Sequence, residues 1–401
     1  MNKPELLAPA GDFEKLQIAV AYGADAVYLS GTSFGLRAKA KNFGEGELAA
    51  AIEYAHKHGV RVYVTANIFA HNNDIAEMTG YFGALAEMGA DAFIISDPGV
   101  MMLAKKEAPG VEIHISTQAN TTNHASAAFW HEMGASRVIL ARELSLGEIK
   151  EVREKCPPAL RLEGFVHGAM CMSYSGRCML SWYMSGRDAN LGACAHPCRY
   201  KYRLWAEEVS RPGQLLPVDE NERGVEIFGA EDLCMIAHLP ELVAAGIDGL
   251  KIEGRMKTAF YVGLTVRAYR QAIDSLGKGY ENNIDEYMRM LGMASHRTFS
   301  TGFYFGYEQK AAATEYNRTH DFVGIVRGYE DGCAVVEQRN VFAVGDEVTF
   351  VQPGGEDFMC RISEMRGRGG EKVDRAPHAQ QVVLVPVGRE VEVLGLVCRE
   401  G

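Results

Sequence analysis

Three consecutive stretches decide the fold: Glu5-Leu-Leu-Ala8, then Phe13-Glu-Lys-Leu-Gln-Ile-Ala-Val-Ala-Tyr22, then Ala26-Val-Tyr-Leu29. The outer two are short apolar runs of strand type. The middle one places Phe13, Leu16 and Val20 on one side of a helix and is followed by Gly23, a natural stop. Strand, helix, strand at this spacing is a parallel pair joined by a helical crossover.

The unit recurs along the chain. Strand-type runs follow at Val60 to Asn67, Ala92 to Ser96, Glu112 to Thr117, Arg137 to Ala141, Leu160 to Val166 and Gly249 to Ile252. Segments of helical spacing lie between them, among them Glu45 to Gly59, Asn73 to Gly89 and Ser145 to Cys156. About eight such units predict an α/β protein with a (β/α)8-type barrel rather than an open doubly wound sheet. In a barrel the strand C-termini face the active site. That makes Asn67, Asp97, the run His114 to Asn120 with Gln118 inside it, Arg142, His167, and Lys251, Glu253 and Arg255 candidate pocket residues.

One interruption breaks the rhythm. From Met170 to about Glu231 the chain carries cysteines and then a polar stretch with Pro and Gly, Ser210 to Gly224, that reads as a hairpin excursion. Helical spacing returns at Ala230 to Ala245 and at Tyr261 to Leu276. From about Asp321 the pattern turns to period two, at Phe322 to Tyr329, Cys333 to Gln338, Glu347 to Phe350 and Gln381 to Val385, with turns at Asp331-Gly332 and Gly354-Gly355. The expected division is a barrel over residues 1–280 carrying a cysteine segment at 163–234, an extension over 281–320 packing on it, and a small antiparallel β-barrel domain over 321–401.

Composition narrows the class. Of 401 residues 47% are hydrophobic and 23% charged, enough to bury a core and too ordered a mixture for wholesale disorder. Met1 to Pro9 forms no secretory apolar core, and no segment offers the run of about 18 apolar residues a membrane helix needs. A cytoplasmic protein is expected. Nine cysteines there, an odd number, point to metal ligation or burial rather than disulfides. The net charge of −11 argues against whole-surface attraction to nucleic acid but leaves room for a local basic patch.

Four of the cysteines are close neighbours. Cys171, Cys178, Cys194 and Cys198 follow the spacing C-x6-C-x15-C-x3-C, with Gly176 and Gly192 giving backbone freedom beside them. Soft thiolates on loops that can wrap a cofactor suit a [4Fe-4S] cluster. Structural zinc is the rival, although its knuckles favour about two to four residues between cysteines and C-x6-C is a poor fit. Unliganded burial is the third reading. Cys234, at the start of an expected helix, is an alternative fourth ligand or a core thiol.

The run from Glu163 through Phe165, His167, Gly168, Ala169, Cys171, Gly176, Arg177 and Cys178 to Ser181 closely resembles the signature of the collagenase-like peptidases, peptidase family U-32. Further matches are Leu7 to Gly11, Gly23 to Tyr28, Ser116 to Asn120, Ile252 to Arg255 and Arg297 to Phe303, so the resemblance covers nearly the whole chain. The Cys194-x3-Cys198 arrangement is similar to that of the tRNA hydroxylation branch. The resemblance implies an RNA-modifying hydroxylase that forms 5-hydroxyuridine at the tRNA wobble position without oxygen, using prephenate, with the anticodon region of tRNA as partner. Sister branches act on a ribosomal RNA cytidine or in quinone hydroxylation. A non-catalytic, cluster-bearing subunit with a protein partner is a further alternative.

A carboxylated donor needs cations, and Arg142, Lys251 and Arg255 are the strand-end candidates. Each has a plainer role in a buried ion pair, as His114 and His167 have in the core. Arg199-Tyr-Lys201-Tyr-Arg203 interleaves charge and aromatic rings and reads either as an RNA contact or as an edge strand. The family's peptidase label predicts hydrolytic machinery, and little of it is visible. His131-Glu132 lacks the rest of H-E-x-x-H, and Gly31-Thr-Ser33-Phe-Gly35 matches G-x-S-x-G without the helix a nucleophile elbow opens.

Overall fold

Eight parallel strands close on themselves in the computed structural model of the chain, which describes residues 3–35, 42–171, 173–174, 177–200, 204–207, 210, 212–213, 215–218, 231–306 and 316–401. They are β1 (Glu5–Pro9), β2 (Ala26–Leu29), β3 (Arg61–Ala66), β4 (Ala92–Ile95), β5 (Glu112–Ile115), β6 (Arg137–Ile139), β7 (Arg161–Ala169) and β8 (Gly249–Ile252). Each pairs with the next, and β8 pairs with both β7 and β1, which completes the barrel. None of the described helices is long and apolar enough to cross a membrane.

Local chemistry starts the crossover helices where the strands end. Asp12, Asp97, Asn123 and Ser145 each stand at a helix N-cap and accept a hydrogen bond from the backbone N–H three residues on. Asp97 is thus spent on capping. The single helix expected over Asn73 to Gly89 is two, Asn72–Glu77 and Tyr81–Glu87, because Gly80 adopts the left-handed conformation with φ of 82°. Glu107 then accepts from the N–H groups of Gly80 at 2.8 Å and Phe82 at 3.2 Å at the restart.

A second departure lies between β7 and β8. Helical spacing predicted a helix from Ala230, but Asp232–Cys234 is a strand, antiparallel to the last residues of β7, and a helix forms only over Leu239–Ala244. The cause is tertiary: β7 runs nine residues, and its end presents open hydrogen-bonding groups that Asp232–Cys234 satisfies. Leu204–Glu207 and Leu215–Val218 form an antiparallel hairpin whose first strand precedes the stretch expected to carry it, Ser210 to Gly224, of which 211, 214 and 219–224 lie outside the described residues.

Residues of the extension pack on the barrel's outer layer. Helix Ile284–Met293 lies against Ala259–Ser275, and Phe299–Ser300 adds a strand beside Asp232–Cys234. The C-terminal residues build a seven-stranded antiparallel sheet around Val323, Val336, Phe350 and Val383. It shares the main core through Ile325, Val351, Leu396 and Cys398. At that seam the buried Tyr22 hydroxyl donates to Val351 O at 2.9 Å and accepts from Leu396 N–H at 3.2 Å.

Candidate functional site at the barrel mouth

The barrel interior is layered, and its lower layer is ionic. Arg137, almost fully buried, donates to Glu5 at 2.6 Å and to Glu163 at 2.8 Å, while Glu5 also pairs with Arg61 and accepts from the Tyr63 hydroxyl. Glu163 uses its other oxygen on Lys251 at 3.1 Å. Burial alone would raise the Glu163 carboxyl, but Lys251 and Arg137 hold it at about 2. His114 belongs to this layer: fully buried, its ring packs edge-on against Tyr63 at 4.6 Å and its Nε2 lies 3.1 Å from Glu112. Burial brings its pKa down to about 4, so at neutral pH the contact is a hydrogen bond from a neutral ring.

Above this layer, at the strand C-termini, a cleft of about 100 Å³ opens. Of the residues expected there, Asn67, Gln118, Arg142, Lys251, Glu253 and Arg255 line it. Lys251 is its floor. The ammonium lies 4.5 Å from the Tyr28 ring centre and 5.6 Å from that of Phe165, so two aromatic faces flank a buried cation. Burial holds this amine below its usual range even with Glu163 beside it. Arg255, also buried, donates to Thr65 Oγ1 at 3.1 Å. Arg142 lies over Phe165 at 5.3 Å and donates to Ala169 O at 3.2 Å; among the described residues no carboxylate pairs with it. Arg142, Lys251 and Arg255 thus line the cleft together with Glu253, and Lys251 is already paired with Glu163 beneath.

Two glycines allow the walls to meet. A Cβ at Gly168, whose φ is 108°, would lie 2.7 Å from Glu253 O, and one at Gly11 would lie 2.0 Å from Arg255 O.

Other expected residues stand elsewhere. Asn120 ends the short turn Thr117–Ala119 in a left-handed conformation, outside the cleft lining. His167 points away from the barrel interior: a register irregularity between Lys251 and Ile252 shifts the pairing, and the ring packs among Tyr261, Tyr269 and Phe299. Burial lowers its pKa to about 3. Cys234 pairs with His167 across the strands, and its thiol lies 3.9 Å from Met288 Sδ; burial pushes it up to about 11. Ser33 is exposed on the bend after β2 and lines none of the cleft. Tyr28, Thr65 and Phe165, which line the cleft, and Arg137 and Glu163 beneath it escaped the strand-end rule. Inward alternation of Glu163 and Phe165 along β7 was the available signal.

The cysteine segment continues directly from β7 and covers one side of the mouth. Asn190 O accepts from Phe69 N–H at 3.4 Å, and Arg177 donates to Gln118 O at 3.4 Å and lies over Phe69 at 5.8 Å. Asn190 binds the segment to itself, its amide reaching the Cys178 backbone on both sides, and Arg187 donates to the carbonyls of Ala193 and Cys194. Burial raises the Cys198 thiol; Arg199 opposes this, and the sulfurs of Cys171, Cys194 and Cys178 add to it, so the four share one electrostatic neighbourhood. They do not close on a point: among the described residues no three His, Cys, Asp or Glu side chains form a group that could hold a metal ion. The His196 N–H donates to Cys194 Sγ at 3.3 Å, the kind of contact that steadies a ligating thiolate. Soft donors and hydrogen bonding to sulfur fit a cluster. Gly176 and the basic-aromatic residues 201–203 lie outside the described residues.

Residues 11–314 match the family described as Peptidase family U32, and residues 318–397 match its C-terminal domain. A Bacillus subtilis relative named tRNA hydroxylation protein P1 is 40% identical over 398 residues, covering 97% of this chain and 93% of the relative. The Escherichia coli tRNA hydroxylation protein P is 36% identical, with 98% and 96% covered. A 23S rRNA 5-hydroxycytidine synthase of Escherichia coli is 34% identical, covering 69% of this chain and 40% of the relative.

Proposed function

The chain belongs to peptidase family U32, and from that membership we propose that it is a cytoplasmic iron-sulfur enzyme that hydroxylates RNA, forming 5-hydroxyuridine at the wobble position of tRNA from prephenate without oxygen. One observation carries the reading: a cleft with three cations opens beside a segment bearing four thiols, at the mouth where barrel enzymes do their chemistry. The names of near-full-length relatives support it.

In this reading Arg142 and Arg255 take the donor's carboxylates, for which guanidinium forks are suited. Lys251 adds a charge that Glu163 keeps in place, and the Tyr28 and Phe165 faces limit how a ring can lie. Cys171, Cys178, Cys194 and Cys198 would hold a [4Fe-4S] cluster, which when bound supplies one-electron chemistry. Zinc is the alternative occupant of the same thiols.

The peptidase reading lacks a nucleophile with a base. Among the described residues no histidine or cysteine lines the cleft, and Ser116, which does, accepts a hydrogen bond from Asn67 at 3.1 Å. Mass spectrometry of RNA from a deletion strain tests the proposal: wobble 5-hydroxyuridine disappears and returns with the wild-type gene but not with Cys171→Ala. Unaltered tRNA sinks it, and loss of 5-hydroxycytidine from ribosomal RNA instead reassigns the substrate.

A further inference from the structure

Between Cys178 and Cys194 the chain presents a row of large apolar side chains to solvent. Met179, Trp182 and Tyr183, spaced so that they share one side of the helix Leu180–Ser185 and the residue before it, are 75%, 57% and 85% exposed. Tyr174 and Tyr200 of the same segment are exposed as well. Contiguous exposed rings of this kind mark an interaction surface.

The perch under them is fixed. Ser181, fully buried, donates to Arg187 O at 2.7 Å and accepts from Ala195 N–H at 2.9 Å, so the short helix is tied to the cysteine loop from below while its rings stay uncovered. Residues 171–200 carry Arg177, Arg187 and Arg199 against the single acid Asp188, in a chain whose net charge is −11. The surface is also continuous with the cleft, through Arg177, which bonds the Gln118 carbonyl on the cleft rim.

Exposed rings on a net-basic segment of an otherwise acidic protein match a polyanion with unstacked bases. Rings stack on bases of any identity, and arginines answer the phosphates. We infer that Trp182 and Tyr183 form a stacking platform for the unpaired RNA bases that flank the nucleotide entering the cleft. The inference rests on the RNA reading above and adds to it the surface on which the loop docks.

The test uses the full-length, anaerobically purified protein and two labelled RNAs, a stem-loop with an unpaired loop and a fully paired duplex of equal length. Trp182→Ala or Tyr183→Ala weakens stem-loop binding by roughly 5- to 140-fold, duplex binding changes little, and Trp182→Phe keeps most of the affinity. Quenching of tryptophan fluorescence by the stem-loop, lost in Trp182→Phe, gives a second readout. Unchanged stem-loop affinity in the double alanine variant overturns the platform, as does an equal loss on the duplex. So does sedimentation showing that the double variant breaks a wild-type dimer, since the rings would then cover a second copy. Where the wild type binds and modifies RNA and the double variant does so equally, the platform alone falls. Where the wild type binds no stem-loop, the RNA reading falls with it.

Discussion

The Lys251 ammonium lies 3.1 Å from the Glu163 carboxylate, with both side chains buried inside the barrel. Because Glu163 also holds Arg137, the cleft floor and the ionic layer beneath it are one electrostatic unit.

Glu163→Gln leaves the buried Lys251 without its counter-charge, while Arg137 keeps Glu5, and costs about 3–5 kcal/mol of stability. Lys251→Met leaves Glu163 paired with Arg137, so its loss of stability is smaller while donor binding suffers. Urea unfolding of both variants, read beside donor affinity, checks the order.

Arg142 can be changed with little effect on the fold, because its described contacts are one carbonyl and one ring. Arg142→Ala is expected to weaken prephenate binding roughly 10- to 100-fold, and Arg142→Lys, which keeps charge but loses the fork, by less. Calorimetry with prephenate measures both; equal affinity in all three proteins removes Arg142 from the donor site.

Single alanine substitutions at Cys171, Cys178, Cys194 and Cys198 should each lower iron and sulfide in anaerobic preparations. Cys234→Ala should leave both unchanged and cost roughly 1 kcal/mol from lost packing, because that thiol is buried beside Met288. A colourless wild-type preparation carrying zinc would refute the cluster.

Acid should weaken the fold through its buried histidines while Glu163, held at about 2, is still ionised. Burial holds His114 at about 4 and His167 at about 3, against an ordinary 6.5 in the unfolded chain. Between those values the unfolded chain takes up protons that the folded chain does not. Stability is therefore full above about pH 6.5 and falls toward about pH 4, by up to about 1.4 kcal/mol per histidine per pH unit. His167→Gln should flatten that slope in denaturant melts; a slope equal to the wild type's would show that His167 is protonated in the fold.

The barrel was legible because its signals are local. Gly249–Ile252 forms a strand with the bounds its apolar run predicts, and β1 to β7 fall within a few residues of theirs. The strand-end rule also brought out Gln118, Arg142, Lys251, Glu253 and Arg255, which meet in the cleft.

What escaped depends on partners distant in sequence. A shift in pairing register turns His167 from the interior to the helix layer, and no residue in the run announces it. Cys234 sits in a strand only because the long end of β7 needs a neighbour. Arg137 and Glu163 read as ordinary charges until the closed barrel sets them 2.8 Å apart.

Tyr22 shows what this connectivity asks of the chain during synthesis. All eight barrel strands exist once Ile252 has been made, yet the Tyr22 hydroxyl must wait for acceptor and donor groups 329 and 374 residues downstream. Until Leu396 leaves the ribosome, the nascent barrel carries an open apolar flank that its own last strand closes, so truncation near residue 320 strands an otherwise complete barrel with that flank bare.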